Sequence, residues 1–221
     1  MKINQYIDHT LLKATATQSD IIQLCNEAKE HHFYAVCVNG SYVSLAKKEL
    51  QNSPVQIAAV VGFPLGAMST EAKVFEAQQA IANGATEIDM VIHIGNLLDG
   101  AYEKVEHEIR AIKQAIGSHV LKVIFENCYL SKEQIQHVSQ LAINAGADFI
   151  KTSTGFGTGG ATFEDVALMK EIAKDQIAIK AAGGIRDLET ALKYISMGVT
   201  RLGTSSGVAL VTTGIADKHQ Y

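Results

Sequence analysis

Two lysines stand at the ends of short β-type runs, each followed by glycines. The first lies in Phe149-Ile150-Lys151-Thr152-Ser153-Thr154-Gly155-Phe156-Gly157-Thr158-Gly159-Gly160, the second in Ile179-Lys180-Ala181-Ala182-Gly183-Gly184. An amine at a strand end can add to a carbonyl, and the backbone N–H groups of a glycine loop can hold a phosphate. The pair points to amine chemistry on a phosphorylated carbonyl compound. Only a neutral amine attacks, and at the reference lysine pKa of ~10.4 about one amine in two thousand is neutral at pH 7. Two facing cations would lower each other's pKa. The same residues admit a structural reading, in which one lysine forms a buried ion pair with Asp89 or Glu126. The residues alone do not say which lysine would be the nucleophile.

Asp89 is the candidate general base or water-holding group; its structural alternative is the ion pair just named. Asp8 is a weaker candidate, since its side chain could simply cap His9-Thr10. Cys37 reads as a pocket wall rather than a nucleophile, because no histidine is placed by sequence to activate it. Gly183-Gly184 and Gly203-Thr204-Ser205-Ser206-Gly207 form a candidate phosphate site, with Gly155 adding a further N–H and plain turn chemistry as the alternative. The eight histidines show no ligand spacing, so no metal and no cofactor is expected.

The elements that must position these groups alternate in type. Strands are expected at 7–12, 34–38, 56–62, 87–94, 120–125, 148–153, 177–181 and 201–204. Helices are expected to open at Thr17, Ser41, Ser69, about Asp99, Ser131, Thr162, Asp187 and Ser206. Thr17 with Asp20 and Ser131 with Gln134 have the spacing of capping boxes. Ile21, Leu24, Cys25 and Ala28 make one apolar helix face, and Val74, Ala77 and Ile81 are expected to make another. Eight strand–helix units imply a closed (β/α)8 barrel, one domain over 1–221 with a short polar tail from about residue 214.

An internal repeat sharpens this. Ile81 to Asp89, Ile143 to Lys151 and Ile195 to Gly203 share a frame in which a helix ends at Gly84, Gly146 or Gly198 and a strand follows. Asp89, Lys151 and Gly203 stand five residues after those glycines, and strand two laid on the frame adds Cys37. Alternate strands supply one layer of inward side chains, so these four residues are expected at one height near the C-terminal mouth.

The chain has 221 residues, 47% apolar and 19% charged, with a formal net charge of −4. That balance offers no basic field for nucleic acid and no polybasic membrane patch. The start carries no signal-like apolar core. Cys25, Cys37 and Cys128 show no CxxC spacing, so the sequence reads as cytoplasmic with reduced thiols.

The motifs together resemble a known family. Tyr6-Ile7-Asp8-His9-Thr10-Leu11-Leu12, Val36-Cys37-Val38-Asn39, Val61-Gly62-Phe63-Pro64-Leu65-Gly66 and Glu87-Ile88-Asp89-Met90-Val91-Ile92 occur in order, followed by the two lysine motifs and Gly203 to Gly207. From about residue 6 to 210 the chain looks like the deoxyribose-phosphate aldolase family, the metal-independent, Schiff-base-forming type. The resemblance implies reversible cleavage of 2-deoxy-D-ribose 5-phosphate to acetaldehyde and D-glyceraldehyde 3-phosphate. It assigns the Schiff base to Lys151, an assisting role to Lys180 and a proton relay to Asp89. Substrate contacts would fall to Asp8, Cys37, Thr152, Gly155, Gly183, Gly184, Gly203, Ser205 and Ser206. It further implies a homodimer, small phosphorylated sugars and aldehydes as the only partners, and a tail in which Tyr221 folds over the mouth rather than fraying. His93 and Asn127 depart from the family pattern, where asparagine and threonine are usual, which bears on rate and substrate preference. Two alternatives stay open: another Schiff-base aldolase, transaldolase-like, and a sugar-phosphate-binding barrel without catalysis. Binding alone needs neither Lys151 nor Asp89.

Overall fold

The computed structural model describes residues 2–215. The expected tail contact of Tyr221 lies outside the described residues. Eight parallel strands, β1 (Ile7–Leu11), β2 (Ala35–Asn39), β3 (Gln56–Val61), β4 (Glu87–Val91), β5 (Val120–Ile124), β6 (Phe149–Lys151), β7 (Ala178–Ala182) and β8 (Arg201–Thr204), close into one barrel in chain order. Around it run α1 (Gln18–Glu30), α2 (Val43–Glu49), α3 (Thr70–Ala82), α4 (Ile94–Leu98), α5 (Tyr102–Ile116), α6 (Lys132–Asn144), α7 (Phe163–Ala173), α8 (Leu188–Ser196) and α9 (Gly207–Thr212).

Local chemistry sets the helix ends. Thr17 and Asp20 form a reciprocal capping box at α1, and Ser131 and Gln134 do the same at α6. Ser69, Thr162 and Asp187 cap α3, α7 and α8 with their side-chain oxygens. Gly84, Gly146 and Gly198, the repeat glycines, all have positive φ, at 110°, 80° and 93°. Each turns the chain from a helix into the next strand, where an L side chain would be strained.

Three expectations need correction. The strand expected over 87–94 stops at Val91, and a short helix, α4, capped by His93 accepting from the Asn96 N–H, precedes the long helix α5, which ends at Ile116 as expected and starts at Tyr102 rather than about Asp99. The helix expected from Ser41 begins as a 3-10 turn, and α2 proper starts at Val43. On α3 the fully buried face is Lys73, Ala77 and Ala80, with Val74 and Ile81 only partly buried. Lys73 is drawn inward because its ammonium reaches Glu108 Oε1 at 2.7 Å and the Val91 carbonyl at 2.8 Å.

The main apolar core lies between the helices and the outside of the barrel, as α1 with Ile21, Leu24, Cys25 and Ala28 illustrates. Inside the barrel the apolar contribution is small: Leu12, Cys37, Ala58 and Val60. The strand register explains what else is there. Cys37 pairs through Ala58 to Glu87, Asp89 through Lys122 to Phe149, and Lys151 through Lys180 to Arg201. Gly203 pairs through Asp8 to Ala35. Each two-strand step therefore needs two more residues to reach the next inward position, which is the tilt of this barrel type. The circuit returns to Cys37, so Cys37, Asp89, Lys151 and Gly203 form one layer, as the repeat requires. Below it lie Asp8, Ala58, Lys122 and Lys180, and below those Glu87 and Arg201.

Candidate active site

The interior is a stack of ion pairs. Asp89 sits at its centre, fully buried in the middle of β4. Its Oδ2 accepts from Lys151 Nζ at 2.8 Å and from Lys180 Nζ at 2.7 Å, and its Oδ1 accepts from Lys122 Nζ at 2.7 Å. Lys180 also donates to Asp8 Oδ2 through a short contact. Lys122 lies 2.5 Å from Glu87 and 3.8 Å from Asp8. At the bottom, Arg201 bridges Asp8 at 2.8 Å and Glu87 at 3.0 Å. Its guanidinium lies 3.5 Å from the Tyr34 ring centroid, which closes the lower end with an aromatic face.

The three lysines differ in electrostatic setting. Burial disfavours the Lys151 ammonium, and Lys180 adds to that; the single Asp89 contact does not compensate, so its pKa falls below the ordinary lysine value. Burial also disfavours the Lys180 ammonium, but Asp8 and Asp89 together outweigh it and hold Lys180 well above that value. Lys122 is likewise raised, burial being overcome chiefly by Asp89, with Asp8 and Glu87 helping. Burial would raise Asp89, yet Lys122, Lys151 and Lys180 hold it well below the usual carboxylate range. Asp8 is kept at about 2 in the same way, burial being overcome by Lys180, Arg201 and Lys122. Burial pushes the Cys37 thiol upward, and Asp89 adds to it, which keeps it unionised.

Lys151 is the one lysine of the stack that opens onto the cavity at the mouth. That cavity runs from Lys151 past Gly155 to Gly183, Gly184, Gly203, Ser205 and Ser206. The sequence-predicted residues thus divide. Those seven line one cavity. Asp89, in the same layer, accepts from Lys151, and Lys180 reaches the same carboxylate from the layer below. Asp8 and Cys37 are completely buried and do not line the cavity. Thr152 spends its hydroxyl on the backbone of β7, donating to the Ala182 carbonyl at 3.0 Å and accepting from the Ala182 N–H at 3.1 Å.

Glycine is required here for space. A Cβ at Gly203 would lie 2.9 Å from the Ala182 Cβ and 3.1 Å from Lys180 Cε, and Gly183 and Gly184 have φ of 88° and 79°. Gly160 packs its Cα against the Gly183 backbone, so the loop after β6 rests on the loop after β7. Thr10, Thr154 and Arg186 are among the further residues that line the mouth, and the sequence does not single them out. Thr10 was reachable, because it lies two residues beyond Asp8 on the same inward face. Glu126, weighed above as a lysine partner, binds instead the N–H of Thr154 at 3.1 Å and its hydroxyl. Burial raises its carboxyl pKa despite those hydrogen bonds and the nearby Lys151. Asn127 is buried with its amide nitrogen 3.5 Å from Met169 sulfur, and His93 acts as the α4 cap; neither lines the cavity. Among the described residues no helix is long and apolar enough to cross a membrane.

A closed parallel barrel with a lysine opening at its C-terminal mouth onto a glycine-lined cavity is the kind of fold and site on which barrel enzymes handle phosphorylated carbonyl compounds. Residues 2–211 match the sequence profile of the DeoC/LacD family aldolases, and the chain belongs to that family. It is 55% identical over 211 residues to deoxyribose-phosphate aldolase 1 of Mesoplasma florum, covering 96% of both chains. It is 54% identical over 214 residues to the deoxyribose-phosphate aldolase of Deinococcus radiodurans, covering 97% of each. Among solved structures, an aldolase called QR15 superposes with a TM-score of 0.90 at 43% identity, covering 93% of this chain and 92% of that one. The tetrameric deoxyribose phosphate aldolase of Aeropyrum pernix superposes with a TM-score of 0.86 at 32% identity, covering 96% and 92%.

Proposed function

We propose that this aldolase reversibly cleaves 2-deoxy-D-ribose 5-phosphate to acetaldehyde and D-glyceraldehyde 3-phosphate through a Schiff base on Lys151. The observation that carries the choice of lysine is the contrast within the stack: Lys151 is depressed and faces the cavity, while Lys122 and Lys180 are raised and sealed beneath it. The neutral Nζ of Lys151 adds to C1 of the open-chain sugar, and loss of water leaves an iminium. Removal of the C3 hydroxyl proton breaks the C2–C3 bond, and its electrons pass through C1 to the iminium nitrogen. D-Glyceraldehyde 3-phosphate departs. The enamine is then protonated at C2, water hydrolyses the iminium, and acetaldehyde leaves the free amine.

Lys180 and Asp89 serve the proton transfers. Both amines donate to the same Asp89 oxygen, so a proton can pass between Lys180 and a water beside Lys151 while the carboxylate holds both ends in place. Asp8, Cys37 and Thr152 act on substrate indirectly, by fixing Lys180, the Lys151 layer and β7. The phosphate is held by backbone N–H groups of Gly183, Gly184 and Ser205 and by the Ser206 hydroxyl, with Gly155 across the cavity. Arg186 at the same rim supplies a cation for it. The chain works in the cytoplasm as a homodimer. The dimer is supported by the exposed apolar face formed by Leu65, Met68 and Phe75, which are 75%, 42% and 65% exposed.

Borohydride reduction in the presence of acetaldehyde, followed by peptide mass mapping, tests the central assignment. The expected stable adduct is on Lys151. An adduct on Lys180 or Lys122 with Lys151 unmodified would overturn it.

A further inference from the structure

The outward face of β1 carries a histidine that the chemistry inside the barrel leaves unused. His9 lies between α1 and the loop that runs into α9, and only 3% of it is exposed. Its Nε2 is 2.7 Å from Glu27 Oε2, and the other Glu27 oxygen accepts from Gln23 Nε2 at 2.8 Å. A ring nitrogen facing a carboxylate is the one that carries the proton, so Glu27 fixes the ring's orientation. The second nitrogen, Nδ1, is buried and has no hydrogen-bond partner among the described residues. It is turned toward Gly207. A Cβ at Gly207 would lie 2.8 Å from Nδ1 and 3.2 Å from both Ile7 Cγ2 and Phe33 Cε2. Phe33 packs against the imidazole, with ring centroids 5.1 Å apart.

The turn Ser205-Ser206-Gly207 therefore rests on an imidazole whose position is set from α1. Ser205 lines the mouth and also a second cavity of about 390 Å³ outside β1, to which His9 and Glu27 contribute. A cradle of backbone N–H groups selects an anion only if those groups are held to within about half an ångström. Ser206 donates its N–H to the Thr204 hydroxyl at 3.0 Å, which fixes the start of the turn; the ring of His9 fixes its end. We propose that His9, anchored by Glu27, is a positioning residue for the phosphate loop and thereby sets the preference for phosphorylated over unphosphorylated substrate. The inference rests on reading Gly183-Gly184 and Ser205-Ser206 as the phosphate cradle.

Two variants break the same bond from opposite sides. His9→Leu keeps apolar volume and removes both ring nitrogens. Glu27→Ala releases the ring at a side chain that is 29% exposed, so the test stays decisive if His9→Leu does not fold. The readouts are KM and kcat on 2-deoxyribose 5-phosphate, kcat/KM on 2-deoxyribose, and the inhibition constant of inorganic phosphate. For either variant we expect KM for the phosphorylated sugar and the phosphate inhibition constant to rise together, by about fivefold for the loss of one such hydrogen bond. Turnover at saturation and kcat/KM on 2-deoxyribose should change by less than about twofold. Equal losses on both sugars, or no change in phosphate inhibition, would overturn the proposal. Ser206→Asp serves as the control: if it raises KM for the phosphorylated sugar while the His9 and Glu27 variants do not, the inference about His9 fails alone. If Ser206→Asp also leaves that KM unchanged, the phosphate cradle itself is misassigned.

Discussion

Replacing Lys180 by leucine should move the titration of Lys151 upward. The two amines lie 2.7 and 2.8 Å from one Asp89 oxygen. They are thus no more than about 5.5 Å apart, and at an effective dielectric of ~20 their repulsion is about 3 kcal/mol, equivalent to about two pKa units. Burial is the larger cause of the depressed Lys151 pKa and remains in the variant, but the second cause is removed and the Asp89 attraction is no longer shared. The neutral fraction of Lys151 at pH 7 should fall, by at most roughly a hundredfold. The assay is the rate of borohydride-trapped adduct formation with acetaldehyde across pH. The acid limb should shift up by about two units in Lys180→Leu, with partial recovery of activity at high pH. Lys180→Arg keeps the charge but does not deprotonate near neutrality. It should retain the wild-type limb, and slow turnover with normal trapping would identify Lys180 as a proton carrier as well as a charge. An unaltered pH profile and unaltered activity in Lys180→Leu would refute both roles.

Ser206→Asp puts a carboxylate into the phosphate cradle; KM for 2-deoxyribose 5-phosphate should rise at least tenfold, about the 1.4 kcal/mol of one unfavourable charge contact, while 2-deoxyribose is converted almost as before. Asp8 has its folded pKa lowered to about 2 from 3.8, so its contribution to stability is present above the unfolded value and is lost as pH falls from about 4 to about 2. Asp8→Asn should be less stable at neutral pH, because it leaves Lys180 and Arg201 underpaired, yet show a flatter loss across that acid window in chemical denaturation. Phe75→Glu should shift the molecular mass seen by light scattering toward the monomer while leaving the barrel's far-UV circular dichroism intact; a full dimer would discard the Leu65–Met68–Phe75 face as the contact.

The sequence exposes the barrel through its punctuation. Glycines at 84, 146 and 198 mark helix-to-strand turns that only positive φ can make, and their fixed offset carries Asp89, Lys151 and Gly203 into one layer. Capping residues Thr17, Ser69, Ser131, Thr162 and Asp187 mark helix starts because each satisfies a backbone N–H that nothing else reaches. Less legible was anything decided by partners distant in sequence. Lys73 occupies a position that apolar periodicity gives to a surface residue, and only Glu108, 35 residues on, and the Val91 carbonyl bring it inside. The short α4 opens where His93 caps its own turn, which the apolar pattern of 94–98 does not announce, and it closes at Gly100, whose φ of 72° turns the chain toward α5. Lys122 lay on a strand read as ordinary, although its period-two position faces inward; Glu87, Asp89 and Asp8 on other strands give it its setting. The choice between Lys151 and Lys180 is open in the residues alone because each stands on a strand that runs into a glycine loop, and their different layers follow only from the register across the barrel.

Charge balance explains why the two lysines diverge. The stack holds four potential cations, Lys122, Lys151, Lys180 and Arg201, against three carboxylates, Asp8, Glu87 and Asp89. Glu126 stands apart at the mouth, bound to Thr154, and burial favours its neutral form. An unpaired buried charge costs several kcal/mol, on the order of the whole stability of a domain, so the cheapest state discharges one cation. Arg201 cannot lose its proton near neutrality. Lys122 is held by three carboxylates and Lys180 by two. Lys151 has one carboxylate oxygen, already shared with Lys180. It is the group whose pKa falls, and it is also the one that opens to the mouth. In the proposed mechanism the raised pKa of Lys180 keeps the resting positive charge on the stack's inner side, and the less basic amine is the one that faces substrate.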